Sequence, residues 1–396
     1  MKVLSITDDE LSGLFLYPNS GILNNLTGGN DMFFTNYDMI LPNYSVGEDC
    51  YKSVPYQARR FGKKAVVIGG KTAMEKAKDA LLDGIKDSEI EITDFVWYGG
   101  DSNYENVEML KGVKSVQDAD MLFAVGGGRA VDTVKVLAVE LDKPVFDFPT
   151  IASNCAPTTT LAVMYNADGS FKQYHFCGRP VDHTFINTKI IAEAPDELLW
   201  AGIGDALSKE CESTYAAKGE DLFHTTMTGV CIGQVCTKPL VDFGAKALDD
   251  CRHNRTSFEL QEVALSIIVS TGLVSNFTTN KEDLFYYNSS LAHAFYNGST
   301  IVEATERHRH GEIVAFGVLC LLADDKNYDE FDRIAKFNKS VGLPVKLSDI
   351  EVKREEVDAI VQKATQTTEW KFKHADMNTE RFKESILEAD TLGQKY

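Results

Sequence analysis

Apolar and polar positions change their rhythm part-way along the chain. In the first half, short apolar runs alternate with stretches of helical spacing. Lys64–Ile68 (KAVVI), Ile90–Tyr98, Met121–Val125 (MLFAV) and Pro144–Phe148 have the character of strands, and Met39–Pro42 with Asn43–Val46 is expected as a strand pair. Val54–Phe61, the stretch from Gly69-Gly70-Lys71-Thr72 through Leu82, Asn106–Lys114 and the run Ala130, Val131, Val134, Leu137, Ala138 carry the helical period. Strands alternating with helices predict a parallel sheet with ligands at the carboxyl ends of its strands. From Pro195-Asp196, which has the form of a helix start, long amphipathic segments take over. They are Asp196–Ala217, Asp221–Leu248, Ser257–Leu273, Ser289–Tyr296, Gly311–Leu322, Tyr328–Val341, Val352–Ala364 and Thr379–Gln394. The expected organisation is an N-terminal extension over residues 1–36, an α/β domain over 37–195 and an all-helical domain over 196–396.

Composition narrows the function. A length of 396 residues is long for a single core. A formal net charge of −19 argues against a nucleic-acid partner, because the surface cannot neutralise rows of phosphates. The eight cysteines form no CxxC pair, so neither a zinc ribbon nor a redox dithiol is signalled. The start of the chain lacks a basic-then-apolar leader, and no apolar run is read as spanning a membrane, so the expected location is a reducing cytoplasm with no membrane partner.

The chemistry gathers at a few places. Met121–Leu137 reads as a strand, a turn of Gly126, Gly127 and Gly128, and a helix. That arrangement brings bare N–H groups and a helix N-terminus up to a phosphate, although a plain tight turn has the same pattern and the dinucleotide signature GxGxxG is absent. Asp205 lies on an apolar helical segment, where a carboxylate needs a partner: either Lys209 one turn on, or a metal. His293 and His310 border apolar runs, and one carboxylate with two imidazoles suits Zn²⁺ or Fe²⁺. Spacing alone does not bring the three together.

Six motifs in order decide the matter: GGGRAVDTVK (126–135), PTIASNCAPTTTLAVMY (149–165), NTKIIAEAP (187–195), GIGDALSK (202–209), LAHAFYNG (291–298) and HGEIVAFG (310–317). With them the chain resembles the glycerol dehydrogenase branch of the iron-containing (group III) alcohol dehydrogenase superfamily. The resemblance implies a Rossmann-like N-terminal domain, an all-α C-terminal domain of dehydroquinate synthase-like architecture, and a cleft between them. It implies one divalent metal, zinc or iron, on Asp205, His293 and His310. It implies NAD or NADP over the glycine turn, contacting Gly128, Arg129, Ala130, Val131, Asp132, Thr150, Ser153, Thr159, Leu161 and Tyr165. The activity it implies is hydride exchange between the cofactor and a small alcohol or glycerol-like polyol, with the substrate oxygen on the metal and Cys155 and His310 facing the substrate. A homo-oligomer is implied as well. No separate base is assigned; His308 is weighed as a proton relay against a solvated surface histidine.

Two positions depart from the family pattern. The acidic residue usual after the first strand is replaced by Gly70, followed by Lys71, which leans the reading towards NADP. The aspartate usual in the S-T-D-A-P motif is replaced by Cys155, which removes an acceptor for a polyol and a charge that would repel an anion. The alternative is therefore a hydroxycarboxylate dehydrogenase, a 2-oxo acid reductase on the same scaffold working with NADPH, in which Arg179 or Lys172 pairs with the carboxylate.

Overall fold

The structure, a computed structural model, describes residues 38–279 and 285–396. The N-terminal extension expected over residues 1–36 lies outside the described residues, and everything from Ile40 onward forms one compact unit.

The strands are β1 (Tyr44–Val46), β2 (Lys64–Gly69), β3 (Glu91–Trp97), β4 (Met121–Gly126), β5 (Val145–Pro149), β6 (Leu161–Tyr165), β7 (Phe171–Phe176) and β8 (His183–Ile186). Six of them form one sheet in the order β1-β8-β5-β4-β2-β3, every neighbouring pair parallel. Central parallel strands are covered on both faces and therefore read as unbroken apolar runs, as β4 does with every residue buried. The helix Lys71–Ile85 covers one face through Met74, Ala77 and Leu81, against Phe123, Phe146 and Phe148. The helix Gly128–Leu141 covers the other through Val134 and Leu137, against Leu122, Ala124 and Val145.

From β2 the chain runs outward to β3, then crosses back to β4 and continues through β5 to β8. The direction of winding therefore reverses between β2 and β4, and such a reversal opens a crevice at the carboxyl ends of the strands. Both glycine turns meet there: the Gly70 N–H donates to the Val125 carbonyl at 3.3 Å, beside Gly126.

Beyond Ile186 every named element is a helix. At the centre lies His310–Asp324, buried from Gly311 to Asp324 except for Glu312 and packed by Asp196–Ala206, Leu291–Ser299, Tyr328–Val341 and Thr379–Gly393. Two glycines let it meet Asp196–Ala206. A Cβ on Gly311 would stand 1.8 Å from the Ala201 carbonyl oxygen, and one on Gly204 would stand 2.4 Å from that of Gly311.

Several expectations need correction. Met39–Pro42 is no strand; Ile40 and Leu41 are about half exposed and β1 pairs with β8 instead. β6 and β7 form a separate antiparallel hairpin. Asp196–Ala217 is broken at Leu207, and Asp221–Leu248 is two helices, His224–Gly233 and Thr237–Arg252. The third long segment runs further than expected, from Phe258 to Thr278 through a wide turn at Ser266–Ser270. By length and composition this 21-residue path is apolar enough to cross a membrane, contrary to the sequence reading. It is packed inside the fold, with Leu260, Val263, Ile267, Ile268 and Val274 buried.

Candidate active site

Asp205 ends almost the last turn of Asp196–Ala206, His293 is the third residue of Leu291–Ser299, and His310 is the first of His310–Asp324. The glycine crossing that seats the third helix on the first also sets His310 beside Asp205. The Asp205 Oδ1 is 3.1 Å from the His310 Nε2 and 3.5 Å from the His293 Nε2. One donor atom from each residue falls within 4.8 Å of the other two. Ligands at about 2.0–2.2 Å from one tetrahedral zinc ion stand roughly 3.4 Å apart, and the two separations from Asp205 lie close to that spacing. The Asp205 and His293 side chains are about one-fifth exposed, at 18% and 19%, whereas His310 is 43% exposed, so the centre opens on the His310 side.

Electrostatics point the same way. Burial alone would raise the Asp205 carboxyl, but the His310 and His293 imidazoles outweigh it and hold Asp205 well below the usual carboxylate range. Burial would likewise lower His293, yet the Glu212 and Asp205 carboxylates push it up to about 10. Two carboxylates around one imidazole make a place that favours positive charge. Lys209 does not pair with Asp205: its ammonium donates to the Asn288 carbonyl at 3.0 Å and to the Asn288 side-chain oxygen at 2.6 Å. The salt-bridge reading of Asp205 is thereby set aside.

On the open side, the Tyr296 ring meets the His310 ring edge-on at 4.1 Å between centroids. Cys155 has its thiol pushed up by burial; the charge that it feels most strongly is the Lys209 ammonium, and next the Asp205 carboxylate. A thiol held neutral in this way is no nucleophile. Tyr296 and Glu212 escaped the sequence reading, although Tyr296 lies inside the LAHAFYNG motif that also holds His293.

The other set of expected contacts surrounds the glycine turn. Gly126 has φ +153°, a conformation that side chains rarely adopt, and Gly127 precedes the helix Gly128–Leu141 with no side chain capping its N–H groups. Gly128 and Arg129 open that helix, and Arg129 is tied to Asp101 at 3.1 Å while lying over the Tyr165 ring. Thr150 donates its N–H to the Gly126 carbonyl at 3.1 Å, and Ser153 follows on the same segment. Ala130 and Val131 are buried in the helix. Asp132 points inward: it pairs with Lys135 at 2.9 Å and accepts the Val163 N–H at 3.0 Å. Lys135 in turn donates to Thr159 and to the Leu161 carbonyl. Asp132, Thr159 and Leu161 thus tie the wall of this crevice together.

The family model for iron-containing alcohol dehydrogenase matches residues 42–181. A glycerol dehydrogenase of Thermotoga maritima is 33% identical over 259 residues, 64% of this chain and 68% of the relative. The chain belongs to the iron-containing alcohol dehydrogenase family. Within it the glycerol dehydrogenase-like branch fits best: the crystal structure of a probable glycerol dehydrogenase from Sinorhizobium meliloti superposes with a TM-score of 0.77 at 25% identity, covering 91% of this chain and all of that one. Hydroxycarboxylate dehydrogenase A of Escherichia coli is 30% identical over 310 residues, 75% of this chain and 81% of the relative. Membership makes this chain an oxidoreductase of alcohols and polyols that uses a nicotinamide nucleotide and a divalent metal.

Against that family frame, two cations weighed for a substrate carboxylate are engaged elsewhere. Arg179 is tied to Asp182 at 2.9 Å, and Lys172 lies over the Tyr104 ring. His308 is not a solvated surface group. Its Nδ1 faces Glu312 at 2.8 Å and its Nε2 faces Glu351 at 3.3 Å, so both nitrogens are held by carboxylates.

Proposed function

We propose that Asp205, His293 and His310 hold one divalent metal, zinc or iron, and that the substrate, a glycerol-like polyol, binds on the open His310 side between Cys155 and Tyr296. The observation that carries this reading is the convergence of the three donor atoms within 4.8 Å. A bound metal would supply a Lewis acid that acidifies a hydroxyl or polarises a carbonyl, and a bound nicotinamide would supply or accept the hydride. The chain's own part is placement. Glu212 and the glycine crossing orient the donors, and the Tyr296 ring packs against the edge of His310. The uncapped N–H groups at Gly128 face the place where a pyrophosphate would lie. Arg129, pinned by Asp101, borders it.

The proposal includes a preference for NADP(H). Lys71 opens a helix with no acidic residue in its first turn, and its ammonium lies over the Trp97 ring at the carboxyl edge of the sheet. With no carboxylate there to hold a ribose 2′-hydroxyl, a cation at this edge favours a 2′-phosphate. A cytoplasmic homo-oligomer belongs to the same reading, and sedimentation reads the assembly directly.

A second reading, reduction of 2-oxo acids, is favoured by one observation. Lys209 is buried, among the described residues donates to neutral oxygens of Asn288, and imposes its charge on Cys155, where the branch usually carries an aspartate. Initial rates of metal-loaded enzyme test both readings, with NAD(H) and NADP(H) crossed against glycerol, dihydroxyacetone and 2-oxobutyrate. Activity on the polyol pair supports the first reading; activity confined to the oxo acid replaces it with the second. Silence with all three substrates overturns both.

A further inference from the structure

Helix Ser208–Ala216 carries Glu212 into the interior, where it is fully buried. Its carboxylate accepts three hydrogen bonds from one short stretch of chain: the Ser290 N–H at 2.7 Å, the His293 N–H at 2.9 Å and the His293 Nδ1–H at 2.6 Å. Both carboxylate oxygens are used, Oε1 on the two backbone groups and Oε2 on the ring. A group so placed does two things at once. It anchors the N-terminus of the helix Leu291–Ser299, satisfying N–H groups that have no partner within the helix. It also takes the ring proton onto Nδ1, which leaves the lone pair on Nε2, the atom that faces Asp205.

We propose that Glu212 is a positioning residue for the metal centre: it selects the tautomer of His293 and supplies the second buried carboxylate that balances a divalent ion. The proposal rests on the reading of His293 as a ligand. Asp205 contributes one negative charge and both imidazoles are neutral when they ligate, so Asp205 and Glu212 together match a charge of +2. Carboxylates behind ligating histidines commonly act in this manner.

Glu212→Gln is the informative change, because it keeps the size and removes the charge. The amide oxygen can still accept the two backbone N–H groups. Its NH₂ must then face Nδ1, which obliges Nδ1 to accept and moves the ring proton to Nε2, where it blocks the metal. Metal-stripped wild type and variant are titrated with Zn²⁺ against a competing chelator and with Co²⁺ by visible absorption. The expected result is an affinity for Zn²⁺ about tenfold to a hundredfold lower in Glu212→Gln, with an altered Co²⁺ spectrum and partial recovery in Glu212→Asp. Equal affinity and an unchanged spectrum would overturn the proposal. Nitrogen-15 resonances of His293 in the Zn²⁺-loaded wild type give a measurement independent of the variant's folding: a protonated Nδ1 supports the assignment, and a protonated Nε2 defeats it. A wild type that binds neither ion removes the metal site itself, and Glu212's role with it.

Discussion

Asp147 carries a carboxyl group into the middle of the sheet, and among the described residues neither of its oxygens has a hydrogen-bond partner. Burial pushes its pKa far above the ordinary value, and the attraction of Lys135 does not reverse this. The folded-state pKa therefore exceeds the unfolded one, and stability is lost as pH rises from about 4 towards the folded value. Asp147→Asn keeps the shape and cannot ionise. It should unfold at a higher temperature at pH 7, by roughly 1–3 kcal/mol, with the gap closing towards pH 4; a less stable variant would show that the carboxylate is ionised beside Lys135. His183 has the opposite sense. It is buried against Ser45, whose Oγ lies 2.9 Å from the His183 Nε2, and burial lowers its pKa to about 4. Its folded value lies below its unfolded one, so its contribution is complete above about pH 6.5 and fades as pH falls towards 4. Urea midpoints measured across that window should fall less steeply in His183→Gln, by up to about 3 kcal/mol in total. At this scale the sequence showed which residue types carry chemistry but not their environment. Asp205 was conspicuous as a carboxylate on an apolar helix, whereas Glu212 looked like any acidic residue of an exposed helix face.

At the scale of elements, the apolar runs of β2 and β4 were legible because strands buried on both faces leave few polar gaps, and β5 was legible despite Asp147 at its centre. The β6–β7 hairpin was not. Only alternate residues of β6 are fully buried, and they belong to a motif read for its cofactor contacts. Helix breaks at Leu207 and at residues 234–236 were hidden because no proline or glycine signal marks Leu207 and the apolar period runs on across both. The crossing of Asp196–Ala206 with His310–Asp324 was equally silent, since a glycine within an apolar run shows nothing of what lies against it. Its test is Gly311→Ala. The added methyl group meets the Ala201 carbonyl, so the helices must part. The expected cost is about 1–3 kcal/mol or more in thermal unfolding, with weaker Zn²⁺ binding because His310 moves off Asp205. Unchanged Zn²⁺ affinity with lowered stability would separate the crossing from the centre.

For the whole molecule, an α/β part followed by a helical part was visible in the change from short runs to long helices, but the meeting of Asp205, His293 and His310 was not. No spacing rule joins residues so far apart, and the ordered motifs of a family were needed. If the three residues hold a metal, chelation should abolish activity and lower the unfolding temperature, and Zn²⁺ or Fe²⁺ should restore both. A free ion at a hundred times its dissociation constant adds about 2.7 kcal/mol, which differential scanning fluorimetry resolves. An unfolding temperature indifferent to chelator and metal would exclude the site. Asp205 and His310 are separated by 105 residues, and Glu212 grips His293 across 81. Closing loops of that length comes late in folding, since their entropy must be met before the contacts they permit can repay it. A chain emerging from the ribosome cannot bring Asp205, His293 and His310 together until the helix beginning at His310 has docked, so if these residues hold the ion, its capture marks the end of the protein's assembly rather than its beginning.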